Sequence, residues 1–192
     1  MRTLTFVASI AAAAVASVAD AQATLRPAPS GRGIAEVVLS VPGATAPAGT
    51  APTVIRIDYG QPHLRGRRLH VDTTLVPYDR VWRTGANATT TFRTDVDLTI
   101  GGSPLAKGTY VLFTLPTAAG WKLILQKNEN QSADEYSTSL DVLRIDLRKR
   151  TLTAPLESLT FWLIPSTAEG AGRGELRFAW GMDELSTDWV VR

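Results

Sequence analysis

The stretch that decides the fold is VDLTIGGSPLAKGTYVLFTL, residues 96–115. Its first five residues alternate apolar and polar side chains, which is the period of a β-strand with one buried face. Gly101 and Gly102 follow, and glycines supply the positive φ angles that a chain reversal needs. A second apolar run, TYVLFTL, then extends to Pro116. The stretch therefore predicts a strand, a turn and a strand.

The same pattern of short apolar runs recurs along the chain. Further strand candidates are residues 37–41, 55–59, 121–126, 143–148, 159–164, 176–180 and 189–192. Helix is expected only as a turn or two near residues 132–139, because no stretch beyond the N-terminal apolar run keeps a 3.6-residue apolar period for three turns. The sequence thus predicts an all-β fold, an antiparallel β-sandwich or partly closed barrel of about nine strands with little helix.

The positions of the tryptophans predict which faces of the strands are buried. Trp121 and Trp180 are in phase with apolar neighbours and are expected in the core. Trp162 lies between Phe161 and Leu163, so it belongs to the opposite face of its strand. We expect Trp162 to be buried as well, in a strand that is covered on both faces.

The chain begins MRTLTFVASIAAAAVASVADAQA, which has the pattern of a secretory signal peptide. The small-x-small triplet Ala19-Asp20-Ala21 favours cleavage before Gln22, and cleavage before Thr24 is the alternative. We therefore expect a signal peptide at 1–21, an N-terminal arm with the first strand at 22–52 and a single β domain at 53–192. The mature protein is expected to be periplasmic or secreted, with no membrane span after removal of the signal.

Composition limits the chemistry and the partners. The chain has no cysteine, which excludes disulfides and a thiolate nucleophile or ligand. The net charge is only +2 and the charged residues are spread along the chain without a clustered stripe of Lys and Arg, so nucleic acid is not an expected partner. No cofactor is predicted, and the expected partner is a small polar ligand or another protein.

The segment VWRTGANATT, residues 81–90, has two interpretations. It is either a structural corner anchored by Trp82, or a small polar pocket formed by a tight bend and the side chains near it. In the second interpretation the candidate ligand-binding residues are Arg83, Asn87 and, in the preceding turn, Asp79.

Two histidines are available for metal chemistry. His63, His70 and Asp72 form an H-x₆-H-x-D pattern, which is a possible two-histidine, one-carboxylate metal set. The pattern is weak, because histidines at the surface or at the edge of the core explain it better than a metal site does, and the leading interpretation has no metal. No G-x-S-x-G elbow is present, so the sequence does not indicate a serine hydrolase of that type. No catalytic residues are assigned.

Several runs resemble a known bacterial family of exported proteins. They are LVPYDRVWRTGANATT from Leu75, GGSPLAKGTYVLFTLP from Gly101, WKLILQKN from Trp121 and DVLRI from Asp141. Together with the Gly66-Arg67 pair they are similar to the family called domain of unknown function 2911, over roughly residues 53–165. The resemblance implies an exported, mainly β domain with no established catalytic residues. After Gly-Arg the family usually has an aromatic residue and a glycine, whereas this chain has RLHVDTT, so no ligand role is carried over to His70 or Asp72.

These observations lead to one main hypothesis, an exported soluble β-sandwich that acts as a binding or interaction module through a polar loop site. The alternative is a metal-assisted hydrolase that uses His63, His70 and Asp72. A structural envelope protein without a small ligand is a third possibility. The sequence leaves open whether the protein is an enzyme.

Overall fold

The computed structural model describes residues 26–71, 75–127 and 136–192. These residues form nine β-strands and one turn of 3-10 helix at Thr138–Leu140. The strands are β1 (Arg32–Leu39), β2 (Thr53–Gly60), β3 (Thr91–Thr94), β4 (Leu98–Ile100), β5 (Ser103–Leu105), β6 (Gly108–Thr117), β7 (Gly120–Lys127), β8 (Asp141–Pro165) and β9 (Arg173–Val191). The predicted all-β fold with little helix is confirmed.

All nine strands join one antiparallel sheet in the order β1-β2-β3-β6-β7-β8-β9-β4-β5, and the sheet does not close into a barrel. The sheet folds over because β8 changes partner along its length. Its first part pairs with β7, and from Arg148 onward it pairs with β9. The two layers that result form the sandwich.

The layers enclose one large core and one small cluster. The main core contains aromatic side chains from several strands, including Phe92, Trp121, Phe178 and Trp189. Each fully buried side chain of this size contributes about 1.5–3 kcal/mol to folding. The smaller cluster of Val111, Phe113 and Ile124 lies on the other face of β6 and β7.

The pairing of β8 with β9 is interrupted in its middle. Residues 152–155 of β8 have a single residue, Met182, opposite them, so this part of β8 arches away from β9. The next residues of β8 bond instead to the segment after β2, where Leu64 N donates to the Glu157 carbonyl at 2.8 Å. Gly181, at the same bend in β9, has a φ of +59°. This interruption positions the cleft that is described below.

Several strands have limits that differ from the predicted ones. The runs predicted at 143–148 and 159–164 are parts of one strand, β8, and those at 176–180 and 189–192 are parts of β9. β5 lies within the predicted turn. The chain after Gly102 forms β5 beside β4, and β6 then pairs with β3 and β7. The positive φ angles expected at Gly101 and Gly102 are present, at +52° and +83°.

The tryptophan predictions have a mixed outcome. Trp121 and Trp180 are buried, as expected. The expectation that Trp162 is buried is wrong, because its side chain is 37% exposed on the open face of β8, while Phe161 and Leu163 face the core. The strand is therefore covered on one face.

Two further expectations concern segments that are only partly described. Of the helical turn expected near 132–139, residues 132–135 lie outside the described residues, and the 3-10 turn occupies Thr138–Leu140. The expected signal peptide, residues 1–21, also lies outside them. Among the described residues, no helix is long and apolar enough to cross a membrane.

Candidate functional site

A cleft of about 600 Å³ opens where β8 parts from β9. We call it the His70 cleft. Its apolar lining comes from Leu64, Leu69, Val71, Tyr78, Pro155 and Met182. Its polar lining comes from Arg67, Arg68, His70, Glu157 and Asp183. The volume is within the range of about 300–1,000 Å³ that is usual for small-molecule sites.

Large apolar side chains are exposed to solvent around this cleft. Val71 is 57% exposed, Tyr78 is 39% exposed and Met182 is 41% exposed. Exposed apolar side chains that are contiguous, with polar groups around them, are typical of sites that bind a ligand or a partner. The cleft therefore has the character of a binding surface.

His70 is fixed by hydrogen bonds at both ring nitrogens. Nδ1 lies 2.8 Å from the carbonyl oxygen of Val76, and Nε2 lies 2.9 Å from Oδ2 of Asp183. Both edges of the ring are therefore engaged by oxygen atoms of the protein. The ring also stacks on Tyr78, with centroids 4.1 Å apart and planes 12° apart.

Asp183 is the centre of a small charged cluster. It is only 7% exposed, and a buried carboxylate is stable only when it is paired. His70 binds one of its oxygens, and Lys149 Nζ lies 2.9 Å from the other. We call His70, Asp183 and Lys149 the charged triad. Since both ring nitrogens of His70 already have partners, neither is directed at a substrate to accept a proton.

Stacked and edge-on aromatic rings connect the cleft to the segment 81–90. Trp121 meets His70 edge-on at 5.6 Å, and Trp82 meets Trp121 at 6.3 Å. Trp82 also stacks on Trp180 at 5.7 Å. The indole nitrogen of Trp180 donates to the backbone carbonyl of Glu157 at 3.1 Å, and Glu157 lines the cleft. Trp82 thus supports the aromatic side chains behind the cleft.

The segment 81–90 is itself held by a dense set of hydrogen bonds. Trp82 exchanges two backbone hydrogen bonds with Thr114, at 2.8 and 2.9 Å. Thr84 is fully buried with a φ of +52°, an uncommon conformation for a β-branched residue. Its hydroxyl lies 3.0 Å from that of Thr114, and the Thr90 hydroxyl donates to its carbonyl at 3.0 Å. These contacts support the interpretation of the segment as a structural corner.

The bend at Gly85 and Ala86 touches the end of β2. Ala86 N donates to the Gly60 carbonyl at 3.1 Å. A Cβ atom on Gly60 would lie 1.8 Å from the Ala86 carbonyl oxygen, and one on Gly85 would lie 2.6 Å from the Thr90 hydroxyl oxygen. A side chain at either position would clash with these atoms, so both positions require glycine.

Arg83, Asn87 and Asp79, the predicted ligand-binding residues, do not line the His70 cleft. Asn87 has a φ of +61° and donates to the Ser30 carbonyl at 3.4 Å. Asp79 N donates to the Pro116 carbonyl at 2.8 Å. Arg83 is half-buried, and within the described part of the chain its side chain makes no hydrogen bond or ion pair.

The predicted metal set is only partly described. His63 Nδ1 lies 2.7 Å from the Ser158 hydroxyl, so this histidine is bonded to β8. His70 would have to give up one of its two hydrogen bonds to bind a metal. Asp72 lies outside the described residues. Across residues 26–71, 75–127 and 136–192, no group of three or more His, Asp or Glu side chains is placed to hold a metal ion.

Sequence reasoning missed Asp183 and Lys149. Asp183 is in phase with the buried residues Leu185, Thr187 and Trp189 of β9. A carboxylate on the inward face of a strand is unusual and could have marked this position. Its pairing with His70 spans 113 residues of sequence, and no local pattern contains that pairing.

Comparison with family models shows which family this chain belongs to. A model described as a protein of unknown function, DUF2911, matches residues 41–188. A search of curated proteins and a search of solved structures each found no match. The matched range contains β2–β8, the segment 81–90 and the lining of the His70 cleft. Because the match covers well over half of the chain, the protein belongs to the DUF2911 family.

Proposed function

We propose that this protein is an exported binding module that takes a small ligand with an apolar body into the His70 cleft. The observation that carries the proposal is the combination of a largely apolar cleft of about 600 Å³ with a charged triad beside it. Most ligand sites combine apolar walls with a few fixed polar groups in this way.

The state of His70 supports binding over hydrolysis. A general base needs a ring nitrogen with a lone pair directed at the substrate, and a metal ligand needs the same. Both nitrogens of His70 are bonded to acceptors, and its ring is held against Tyr78. The arrangement fixes the wall of the cleft before a ligand arrives, which lowers the entropy cost of binding.

Export is part of the proposal because of the N-terminal sequence. A positive residue, an Ala-rich apolar run and a small-x-small triplet precede Gln22. A cysteine-free chain keeps its fold in an oxidising compartment without any disulfide chemistry. The periplasm or the exterior of the cell is the proposed location.

The segment 81–90 has a supporting role in this proposal. Trp82 packs against Trp121 and Trp180, which lie behind the cleft. The residues first expected to bind ligand, Arg83, Asn87 and Asp79, are proposed as a second, separate contact for a polar group of a partner.

The proposed binding site is tested by the fluorescence of the neutral apolar dye N-phenyl-1-naphthylamine. The dye is excited at its own absorption band and not through the tryptophans of the protein. We expect saturable binding to the protein and at least a tenfold loss of affinity in Met182→Trp, which fills part of the cleft. Val142→Trp is the matched control, because Val142 and Met182 are both 41% exposed and Val142 does not line the cleft. Equal dye binding by the two variants, or none by the native protein, would overturn the proposal.

A further inference from the structure

The His70 cleft is lined by Arg67, which pairs with no carboxylate among the described residues, and this cation points to a class of ligand. Arg67 and Arg68 line the cleft, and His70 and Lys149 both pair with Asp183. The described carboxylates that line it are Glu157 and Asp183. Asp183 is bonded to Lys149 and His70, and neither Asp183 nor Glu157 forms an ion pair with Arg67.

Arg67 is the cation that is best placed to meet a ligand. It ends a tight turn in which Arg65 and Gly66 have φ angles of +52° and +76°, and its backbone N–H donates to the Leu64 carbonyl at 3.1 Å. Its Nε donates to the same carbonyl and its Nη2 donates to the His63 carbonyl, both at 2.9 Å. The guanidinium is therefore fixed by backbone oxygens.

The charge of Arg67 is not neutralised by these bonds. Carbonyl oxygens accept hydrogen bonds but carry no net charge, and no carboxylate pairs with Arg67 among the described residues. Its Nη1 also has no partner there. A fixed guanidinium with unused donors at an apolar cleft is suited to bind a carboxylate.

We propose that the ligand of the His70 cleft is an amphiphilic acid, with its apolar body among Leu64, Leu69 and Met182 and its carboxylate on the Arg67 guanidinium. This inference rests on the proposed binding function. Acid recognition also accounts for the charged triad, since a buried Asp183 without His70 and Lys149 would repel an acidic ligand.

The test compares decanoate, decanamide and decylammonium below their micelle concentrations, each displacing N-phenyl-1-naphthylamine from the native protein. The three ligands have the same chain and differ in the charge of the head group. We expect decanoate to bind about tenfold or more tightly than decanamide, because a charge-assisted hydrogen bond is roughly twice as strong as a neutral one. Decylammonium is expected to bind most weakly.

Variants assign this preference to Arg67. Arg67→Met should abolish the preference for decanoate over decanamide and leave decanamide binding unchanged. Arg65→Gln is the matched control, because it removes the same charge from the same turn at a residue that does not line the cleft. It should keep the preference. If Arg67→Met fails to fold, the comparison of decanoate with decanamide on the native protein still decides the inference.

The two proposals fail in different ways. If the dye and all three ligands fail to bind, the binding function itself is wrong. If decanamide or decylammonium binds as tightly as decanoate, the cleft binds ligands but does not recognise acids, and the inference is wrong while the proposed function stands. A preference for decanoate that survives in Arg67→Met would remove Arg67 from the site and would also overturn the inference.

Discussion

Replacing Gly60 with alanine tests the contact on which the segment 81–90 depends. In the structure a Cβ atom at position 60 would lie 1.8 Å from the Ala86 carbonyl oxygen, whereas ordinary contacts of a Cβ begin at 3.4 Å. The end of β2 and the bend must therefore separate by more than an ångström. The hydrogen bond from Ala86 N to the Gly60 carbonyl, 3.1 Å long, is lost in that movement.

The expected cost of Gly60→Ala is about 3 kcal/mol in the free energy of unfolding. A forced backbone shift costs about 1–3 kcal/mol and a lost buried hydrogen bond costs about 1 kcal/mol more. For a chain of this size the melting temperature should fall by about 6–12 °C. Thermal and urea unfolding, followed by circular dichroism, measure both quantities.

Gly31→Ala is the control for this experiment. Gly31 lies beside the same region, since its carbonyl accepts from Gln61 N at 2.7 Å. A Cβ atom there has no neighbour within 4 Å, and its φ is not positive. We expect a change within about 0.5 kcal/mol. If Gly60→Ala melts within about 1 °C of Gly31→Ala, the close contact between Gly60 and Ala86 does not exist and the reasoning is refuted.

Two carboxylates give further predictions. Asp183→Asn should lower the free energy of unfolding, measured in urea, by about 2 kcal/mol. This loss is smaller than the loss that is usual for a fully buried ion pair, because the partner Lys149 is 34% exposed. Asp146→Asn, at a side chain that is 82% exposed, should change the stability by less than about 0.5 kcal/mol, and equal effects of the two changes would contradict this account. Asp95 accepts a hydrogen bond from Val54 N at 2.9 Å, and this bond is the largest influence that holds the pKa of Asp95 below its usual range. Its ionised form therefore adds stability above the ordinary pKa of about 4, and that stability is lost as the pH falls through the lower folded value. The stability advantage of the native protein over Asp95→Asn should therefore shrink between about pH 5 and pH 2, and an advantage that does not change with pH would contradict the assignment.

The fold could be predicted from the sequence because its signals are local. The alternation in residues 96–100, the glycines that follow and the apolar run 109–115 mark strands and a turn without knowledge of the rest of the chain. The strand at 121–126 is predicted for the same reason and is present as β7. The pairing of β4 with β9 was not predicted, because the partner lies about 90 residues away in the sequence and nothing local specifies the register.

The cleft could not be predicted, because it is produced by three distant segments. The arch in β8 leaves a gap beside Met182, and residues 64–71 of the chain line that gap. The sequence indicates His70 only as a candidate metal ligand. Its actual partner, Asp183, becomes visible as a candidate only when β9 is known to be a single strand with that side chain facing inward.

The most direct test of the account asks where the ligand binds. A titration of the ¹⁵N-labelled protein with decanoate, followed by ¹H–¹⁵N spectra, reports on each backbone amide separately. Saturable shifts are expected at the amides of Leu69, His70, Met182 and Asp183, which line the cleft. Shifts confined to the region of Arg83 and Asn87, with the cleft amides unchanged, would contradict it and would place the ligand site at the bend instead.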